Sequence, residues 1–226
     1  MICKKYYISN FLKITWLLSA LCICGIVAFI NANIWYNYVV CFSGIFFVVL
    51  NNFKLPISFI AGIIYSISYG ILSFCNSIYG DCMFNFLYSL PVCIYGIIRW
   101  IRNANYKAFK QIQVKRMSIL KSMTCIILPY VVSIAFFGSI LKYFNDISPF
   151  LDAFTTCSQI LGLILLVFGF CEAWIIFMLN NIASISLWYI AYRNNASNMP
   201  MMFMYLVYFL NSVIGLIYWR ITANRK

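Results

Sequence analysis

The residues best suited to chemistry form a run of aromatic and polar side chains in the C-terminal third of the chain. Trp174, Phe177, Asn181, Ser184 and Trp188 recur every three or four residues, so in an α-helix they share one narrow stripe. Aromatic faces can hold a planar ring, and an amide both donates and accepts hydrogen bonds. We therefore predict a substrate-binding stripe. The alternative is that the amide and hydroxyl groups hold neighbouring helices together.

Two other apolar stretches also carry polar groups on one side. Residues 83–101 place Asn85, Tyr88 and Tyr95 on one face, with a proline between them. A proline inside a helix frees a carbonyl group and bends the helix, which is common near transporter cavities. The last apolar stretch carries Asn211 in a similar setting. These four residues complete the predicted binding set.

Little in the sequence points to a metal, a cofactor or a catalytic centre. The chain has no histidine, and its ten cysteines form no Cys-x-x-Cys pair. Most cysteines lie in apolar stretches, where they act as small hydrophobic residues. The four acidic residues, Asp81, Asp146, Asp152 and Glu172, fall at or near the ends of these stretches, where Asp152 could cap a helix. With no carboxylate expected deep in a membrane, passive transport is favoured over ion coupling.

The composition indicates an all-α polytopic membrane protein. The 226 residues are 65% hydrophobic and only 9% charged, and the mean hydropathy is +0.92. A soluble domain of this length needs more charge to cover its surface. Apolar runs of this kind are typical of membrane-spanning helices, and we predict spans at 14–30, 36–50, 55–75, 83–101, 119–141, 151–170, 173–191 and 200–220.

The net charge of +12 fits the connections between spans better than a nucleic-acid surface. No basic, aromatic-rich soluble module is present to hold a strand. If the N-terminus is cytoplasmic, 14 of the 16 basic residues fall in cytoplasmic connections and only Lys142 and Arg193 fall outside. Under the positive-inside rule this bias predicts that both termini are cytoplasmic.

An internal repeat organises the chain. At a shift of 118 residues Gly44 matches Gly162 and "SIS" at 66–68 matches "SIS" at 184–186; at a shift of 119 Gly96-x-x-x-Trp100 matches Gly215-x-x-x-Trp219. The glycine of this motif suits close helix packing, and the tryptophan beside arginine suits an interfacial anchor.

We predict two three-helix units, 36–101 and 151–220. Between them lies segment 102–150, with a basic cytoplasmic loop and one linking helix. Segment 1–35 adds an N-terminal helix, and 221–226 forms a cytoplasmic tail. Because a three-helix unit ends on the side opposite its start, one linking helix makes the two units parallel repeats.

Several segments resemble the Pnu vitamin transporter family: "DAFTTCSQILGLILL", "EAWIIFMLNNIASISLW", "NSVIGLIYW" and, in the first half, "NFLYSLPVCIYGIIRW". The resemblance spans roughly residues 36–220. It implies a SWEET-like fold of duplicated three-helix bundles in the bacterial cytoplasmic membrane. It also implies facilitated uptake of nicotinamide riboside or a related nucleoside-like vitamin, trapped inside by a cytoplasmic kinase. Family members commonly form homotrimers.

The family's Trp-x-x-x-Asn substrate motif corresponds to Phe177 and Asn181, with phenylalanine replacing the tryptophan. Relatives of the family carry thiamine, riboflavin or deoxynucleosides, and these solutes remain alternative substrates. A SWEET-like sugar carrier is a further alternative. A membrane-embedded enzyme or assembly protein is the alternative from a different functional class. It would require reactive groups, and the sequence predicts no buried carboxylate or histidine to supply them. The expected partners are thus a small solute and membrane lipid, without nucleic acid.

Overall fold

The computed structural model describes residues 35–53, 55, 57–103, 114, 119–195 and 198–223, together with Thr15, Trp16, Leu18, Ser19, Cys22 and Gly25. Its helices are α1 Trp35–Asn52, α2 Ser58–Cys75, α3 Tyr79–Met83, α4 Leu90–Asn103, α5 Ile119–Tyr143, α6 Pro149–Val167, α7 Ala173–Asn194 and α8 Met199–Ala223. A π-helical turn, Phe84–Ser89, joins α3 to α4 in one continuous rod. Most of the predicted first span, 14–30, and of the basic loop lies outside the described residues.

The prediction of an all-helical, multi-spanning protein is confirmed for the described part of the chain. Five helices are long and apolar enough to cross a membrane: Ser58–Cys75, Tyr79–Arg99, Pro149–Val167, Ala173–Asn194 and Met199–Ile221. Two shorter apolar helices, Tyr36–Asn52 and Tyr130–Tyr143, correspond to the predicted second span and linking span.

Burial along α2 is inverted relative to a soluble helix. Its exposed face carries Ile60, Ile64, Ile67 and Ile71. Its buried face carries Tyr65, Ser66, Ser68 and Tyr69. Apolar residues outside and polar residues inside suit a protein whose surroundings are hydrocarbon, where polar groups must find partners within the bundle.

The helix connections gather at two opposite ends of the bundle. At one end, which we call the Asn76 end, Asn198 Nδ2 donates to Asn76 Oδ1 at 2.6 Å, and the Ile147 amide donates to the Ser77 carbonyl. At the other, the Trp219 end, Trp219 Nε1 donates to the Asn52 carbonyl at 3.1 Å. Successive helices therefore run in alternate directions, as a series of membrane crossings requires.

The outermost helices of the two predicted units pack across the bundle. Helix α1 contacts α8, and α6 contacts the α3–α4 rod. Within the units α1 packs on α2, α6 on α7 and α7 on α8, while α5 lies against α6. The core therefore sits between the predicted units, with α1, α2, α6, α7 and α8 around it.

The two glycines of the repeated motif lie at close helix contacts. A Cβ atom on Gly96 would lie 2.7 Å from the Phe59 ring, and one on Gly215 would lie 2.6 Å from the Trp174 indole. Predicted close packing is therefore found at both sites. Trp219 is fully buried and bonded to Asn52, so its indole packs inside the bundle, and its role as an interfacial anchor stays a prediction.

Substitution of Gly96 by alanine is expected to destabilise the protein. The added methyl group would press on the ring of Phe59, which is fully buried; overpacking of this kind costs about 1–3 kcal/mol. Thermal unfolding of the detergent-solubilised protein measures the effect. Gly25→Ala is the matched control, since its Cβ would lie 3.6 Å from Phe42, an ordinary contact. Equal unfolding temperatures for the two variants would contradict the packing argument.

Candidate substrate-binding cavity

A cavity lies between α1, α2, the α3–α4 rod, α6, α7 and α8. It contains about 630 Å³ of space not filled by protein atoms, part of it continuous with the surroundings. Its aromatic wall consists of Phe47, Tyr65, Phe84, Trp174, Phe177, Tyr205 and Tyr208. Its polar lining consists of Asn51, Ser89, Gln159, Asn180, Asn181 and Ser212. A mostly apolar space with a few convergent polar groups is typical of a small-molecule site.

The aromatic wall is held by ring-to-ring contacts. The Trp174 and Phe177 rings meet edge to face, with centroids 5.9 Å apart, and the Tyr205 and Tyr208 rings do so at 5.4 Å. Tyr65 meets Tyr208 in the same way at 6.4 Å. These contacts come from α2, α7 and α8, so the cavity depends on the packing of all three helices. Ring faces arranged around one space can hold a flat organic solute.

Amide groups of α7 supply the polar part of the site. Asn181 Nδ2 donates to Ser212 Oγ at 3.1 Å, which ties α7 to α8 beside the cavity. Within the described structure, Asn180 Oδ1 and Trp174 Nε1 are buried and have no hydrogen-bond partner. Unpaired buried polar groups are uncommon in folded proteins. An acceptor and a donor are thus available to a bound solute.

The predicted stripe on α7 enters the cavity only in part. Trp174, Phe177 and Asn181 line it. Trp188 instead donates Nε1 to Tyr69 Oη at 2.8 Å, one layer beyond the lining, and Ser184 is fully buried without lining it. The stripe is longer than the cavity, which ends where the aromatic residues of α2 and α8 close over it.

The other predicted binding residues lie outside the lining. Asn85 Nδ2 donates to the carbonyl of Asp81 in its own helix at 2.7 Å, and Tyr88 Oη donates to the Ile160 carbonyl at 3.3 Å. Tyr95 is 49% exposed on the outer surface. Helical spacing predicts a common face for these residues, but the π-helical turn Phe84–Ser89 changes the register, so Asn85 is fully buried while Tyr95 is exposed.

Asn211 acts between helices rather than in the cavity. Its Oδ1 accepts from Trp16 Nε1 at 3.0 Å and from Asn52 Nδ2 at 2.8 Å, while its Nδ2 donates to the Val48 carbonyl at 3.1 Å. These bonds join α8 to α1 and to the N-terminal segment. Asn211 therefore fits the alternative considered above, in which amide groups hold neighbouring helices together.

The acidic residues stand at helix ends as expected, but they are more deeply buried than expected. Asp81, the third residue of α3, is fully buried; its Oδ2 accepts from Tyr69 Oη at 2.6 Å and its Oδ1 from Gln159 Nε2 at 2.7 Å. Asp152 accepts from the backbone amides of Gly80 and Asp81 at 2.6 and 3.1 Å, so it caps α3 rather than its own helix. The sequence placed both beside a connection, whereas their side chains point into the bundle.

Several residues that close the cavity were not predicted from the sequence, among them Gln159, Asn180 and Tyr205. A signal existed for two of them. Gln159 is an amide in the middle of an apolar span, and Asn180 directly precedes Asn181; polar residues inside a span face the bundle interior as a rule. Tyr205 gave no such signal, because tyrosine suits a core, a cavity or an interface equally well.

Comparison with known proteins identifies the family. The family model for "Nicotinamide mononucleotide transporter" matches residues 33–221, which is most of the chain. The chain belongs to the nicotinamide mononucleotide transporter family. This confirms the resemblance to the Pnu transporters, and membership of a transporter family agrees with the prediction that the chain is not an enzyme.

Individual relatives agree with the family assignment. The chain is 27% identical over 214 residues to the nicotinamide riboside transporter PnuC of Neisseria mucosa, covering 93% of this chain and 81% of the relative. It is 25% identical over 226 residues to PnuC of Haemophilus influenzae, covering 98% and 96%. The crystal structure of the vitamin B3 transporter PnuC superposes with a TM-score of 0.83 at 27% identity, covering 95% of this chain and 92% of that one.

Replacing Asn211 by alanine is expected to lower stability and leave ligand affinity unchanged in the folded fraction. The substitution removes the Oδ1 acceptor of Trp16 Nε1 and the Nδ2 donor to the Val48 carbonyl, while Asn52 Nδ2 keeps the Asn211 carbonyl as acceptor; a buried group left without its partner costs about 1–3 kcal/mol. Thermal unfolding and calorimetric titration of the same preparation separate the two effects. Asn194→Ala, on the exposed end of α7, is the control and should change neither. Loss of affinity at unchanged stability would instead place Asn211 in the binding site.

Proposed function

We propose that this protein mediates facilitated uptake of nicotinamide riboside across the bacterial cytoplasmic membrane. The observation that carries the proposal is the aromatic cavity with Asn180 and Asn181 on its wall, in a chain whose relatives are named nicotinamide riboside transporters. A pyridine ring suits the aromatic faces, and the carboxamide and ribose hydroxyls suit the two asparagines.

The cavity lining favours a riboside over a phosphorylated nucleotide. The family description names the mononucleotide, whereas the relatives are named for the riboside. A phosphate group carries about two negative charges and is normally held by arginine or lysine. The side chains lining the described cavity are aromatic, aliphatic, amide or hydroxyl groups. They can bind a ribose, but they cannot neutralise a phosphate.

The two predicted three-helix units, 36–101 and 151–220, support a mechanism of alternating access. In the proposed SWEET-like arrangement the units are parallel repeats, and rocking of one against the other would expose the cavity to each side in turn. The crosswise packing of α1 on α8 and of α6 on the α3–α4 rod is what such a pair of units would produce. In this proposal the linking helix α5 and the extra N-terminal helix lie outside the moving core.

We propose in addition that transport is not coupled to an ion. This part of the proposal rests on the family resemblance. The sequence argument from a lack of buried carboxylates does not hold, because Asp81 and Asp152 are both fully buried. A homotrimeric assembly and trapping of the substrate by a cytoplasmic kinase complete the proposal. Counterflow of labelled nicotinamide riboside in liposomes with identical buffers on both sides would proceed if no ion gradient is needed.

The remaining substrates are separated by competition. Thiamine, riboflavin, deoxynucleosides and sugars, each added in excess to labelled nicotinamide riboside, report which solute shares the cavity. Competition by a sugar alone would favour the SWEET-like sugar carrier. Competition by thiamine or riboflavin at lower concentration than unlabelled riboside would favour another vitamin of the same transporter family.

Substitution of Asn181 by alanine is expected to weaken nicotinamide riboside binding by roughly tenfold or more, because the amide that lines the cavity is lost. Calorimetric titration of the purified protein measures the affinity. Tyr95→Phe is the control, since Tyr95 lies on the exposed surface away from the cavity, and it should bind as the parent does. Unchanged binding by the Asn181 variant would show that the ligand site is elsewhere.

The proposed orientation predicts opposite labelling of the two ends. In a cysteine-free background, Lys142→Cys at the Asn76 end should react with a membrane-impermeant maleimide on intact cells. Arg220→Cys at the Trp219 end should react only after permeabilisation. Both side chains are exposed, so access depends on the side of the membrane. Reversed labelling would place both termini outside, and labelling of both from outside would exclude the proposed set of crossings.

A further inference from the structure

Asp81 is a buried carboxylate whose oxygens are bonded to neutral groups. Tyr69 Oη and Gln159 Nε2 donate to it at 2.6 and 2.7 Å, and Asp152, also fully buried, lies next to it on the α3 amides. Burial opposes a charge on this carboxyl group, whereas the two donors, one on each oxygen, stabilise that charge. A buried negative charge is expensive unless a positive charge compensates it. The charge at Asp81 therefore calls for a cation within its reach.

The hydrogen bonds around Tyr69 have fixed directions. Tyr69 has one hydroxyl hydrogen, which it gives to the Asp81 carboxylate. Its oxygen must then accept from both other neighbours, Trp188 Nε1 and Tyr205 Oη, each at 2.8 Å. Two successive donors, Tyr205 and Tyr69, thus point toward the carboxylate, and Trp188 joins them at Tyr69. Such a chain extends the influence of the charge through Tyr205, since each bond polarises the next.

This network reaches the cavity through two residues. Tyr205 and Gln159 both line it. Because Tyr205 gives its hydrogen to Tyr69, it turns only its oxygen toward its other neighbours, Tyr65 and Ser184. Gln159 turns its amide nitrogen toward Asp81. Asn180 Oδ1, with no partner in the described structure and only 3% exposed, adds an unpaired acceptor to the cavity wall.

We propose that Asp81 is the counter-charge for a cationic ring bound in the cavity, and that it sets specificity through Tyr69–Tyr205 and Gln159. The ring of nicotinamide riboside is a pyridinium with a fixed positive charge, and aromatic faces stabilise such a cation in the same space. This inference rests on the proposed function. Asp81 does not touch the cavity, so it is a positioning residue for charge.

A purely structural role for Asp81 leads to a different prediction. Asp81 lies in the first turn of α3, where a carboxylate also stabilises the helix through its dipole. If that were its whole role, its loss would weaken every ligand alike. If Asp81 acts through its charge, its loss weakens the binding of cations and leaves the binding of neutral ligands of the same shape unchanged.

The test compares nicotinamide riboside with its uncharged 1,4-dihydro form, which keeps the ribose and the carboxamide. Affinities for both are measured by calorimetric titration of the full-length purified protein. The parent should bind the cation more tightly. In Asp81→Asn this preference should fall by roughly tenfold, the effect of one unit charge about 12 Å away with an effective dielectric of about 20. Asp81→Glu, which keeps the charge, should retain it.

The control is Asp146→Asn at the same end of the bundle. Asp146 accepts from the Tyr79 and Ser148 amides and lies beside Asp152, but it does not bond to Asp81, Tyr69 or Gln159, so its variant should keep most of the preference. If Asp81→Asn does not fold, Tyr205→Phe takes its place, because it removes the acceptor that carries the effect to the cavity. Tyr205→Phe should likewise reduce the preference for the cation over the dihydro form.

Each outcome decides the inference. A cation preference that is unchanged in Asp81→Asn, or in Tyr205→Phe where that variant is used, overturns it, and so does an equal loss for both ligands. A weaker affinity for the cation, with the affinity for the dihydro form unchanged, supports the inference. If the parent binds neither form, the proposed function fails first. If the parent binds both forms equally, the function stands and the charge role does not.

Discussion

Polar groups inside a lipid-embedded bundle must find their partners within the protein, and in this molecule that requirement centres on Asp81. Its bonds to Tyr69 and Gln159, with the Asp152 cap on α3, connect α2, α3 and α6. Through Tyr69 the same network takes in Trp188 of α7 and Tyr205 of α8. Hydrocarbon offers no substitute donors, so these five helices are fixed together at the Asn76 end by one set of hydrogen bonds.

The cavity follows from this arrangement. The network closes the space on one side, and below it the aromatic rings of α2, α7 and α8 meet without filling the centre. The interior is consequently aromatic and amide-rich while isoleucines cover the outside of α2. A solute that enters meets ring faces and acceptors rather than formal positive charge. The same constraint that stabilises the bundle thereby selects the chemistry of what it can carry.

Glycine at helix contacts allows the bundle to close this tightly. Gly96 admits the Phe59 ring, and Gly215 admits the Trp174 indole that lines the cavity. The repeated Gly-x-x-x-Trp motif, first noted as a trace of duplication, thus contributes to both halves of the structure. In the second half, its tryptophan is buried against Asn52 of α1. Packing and site geometry are therefore joined at the Trp219 end as well.

The sequence by itself determined the helices, the membrane class and the family, because these depend on local hydropathy and on motifs that lie along the chain. It also placed Trp174, Phe177 and Asn181 on one face of one helix. Only the tertiary structure decided that the face enters the cavity at that point, that Asn211 binds α1 instead, and that Asp81 and Asp152 turn inward. Periodicity states which residues share a face of a helix, but the direction of that face depends on contacts between helices distant in sequence.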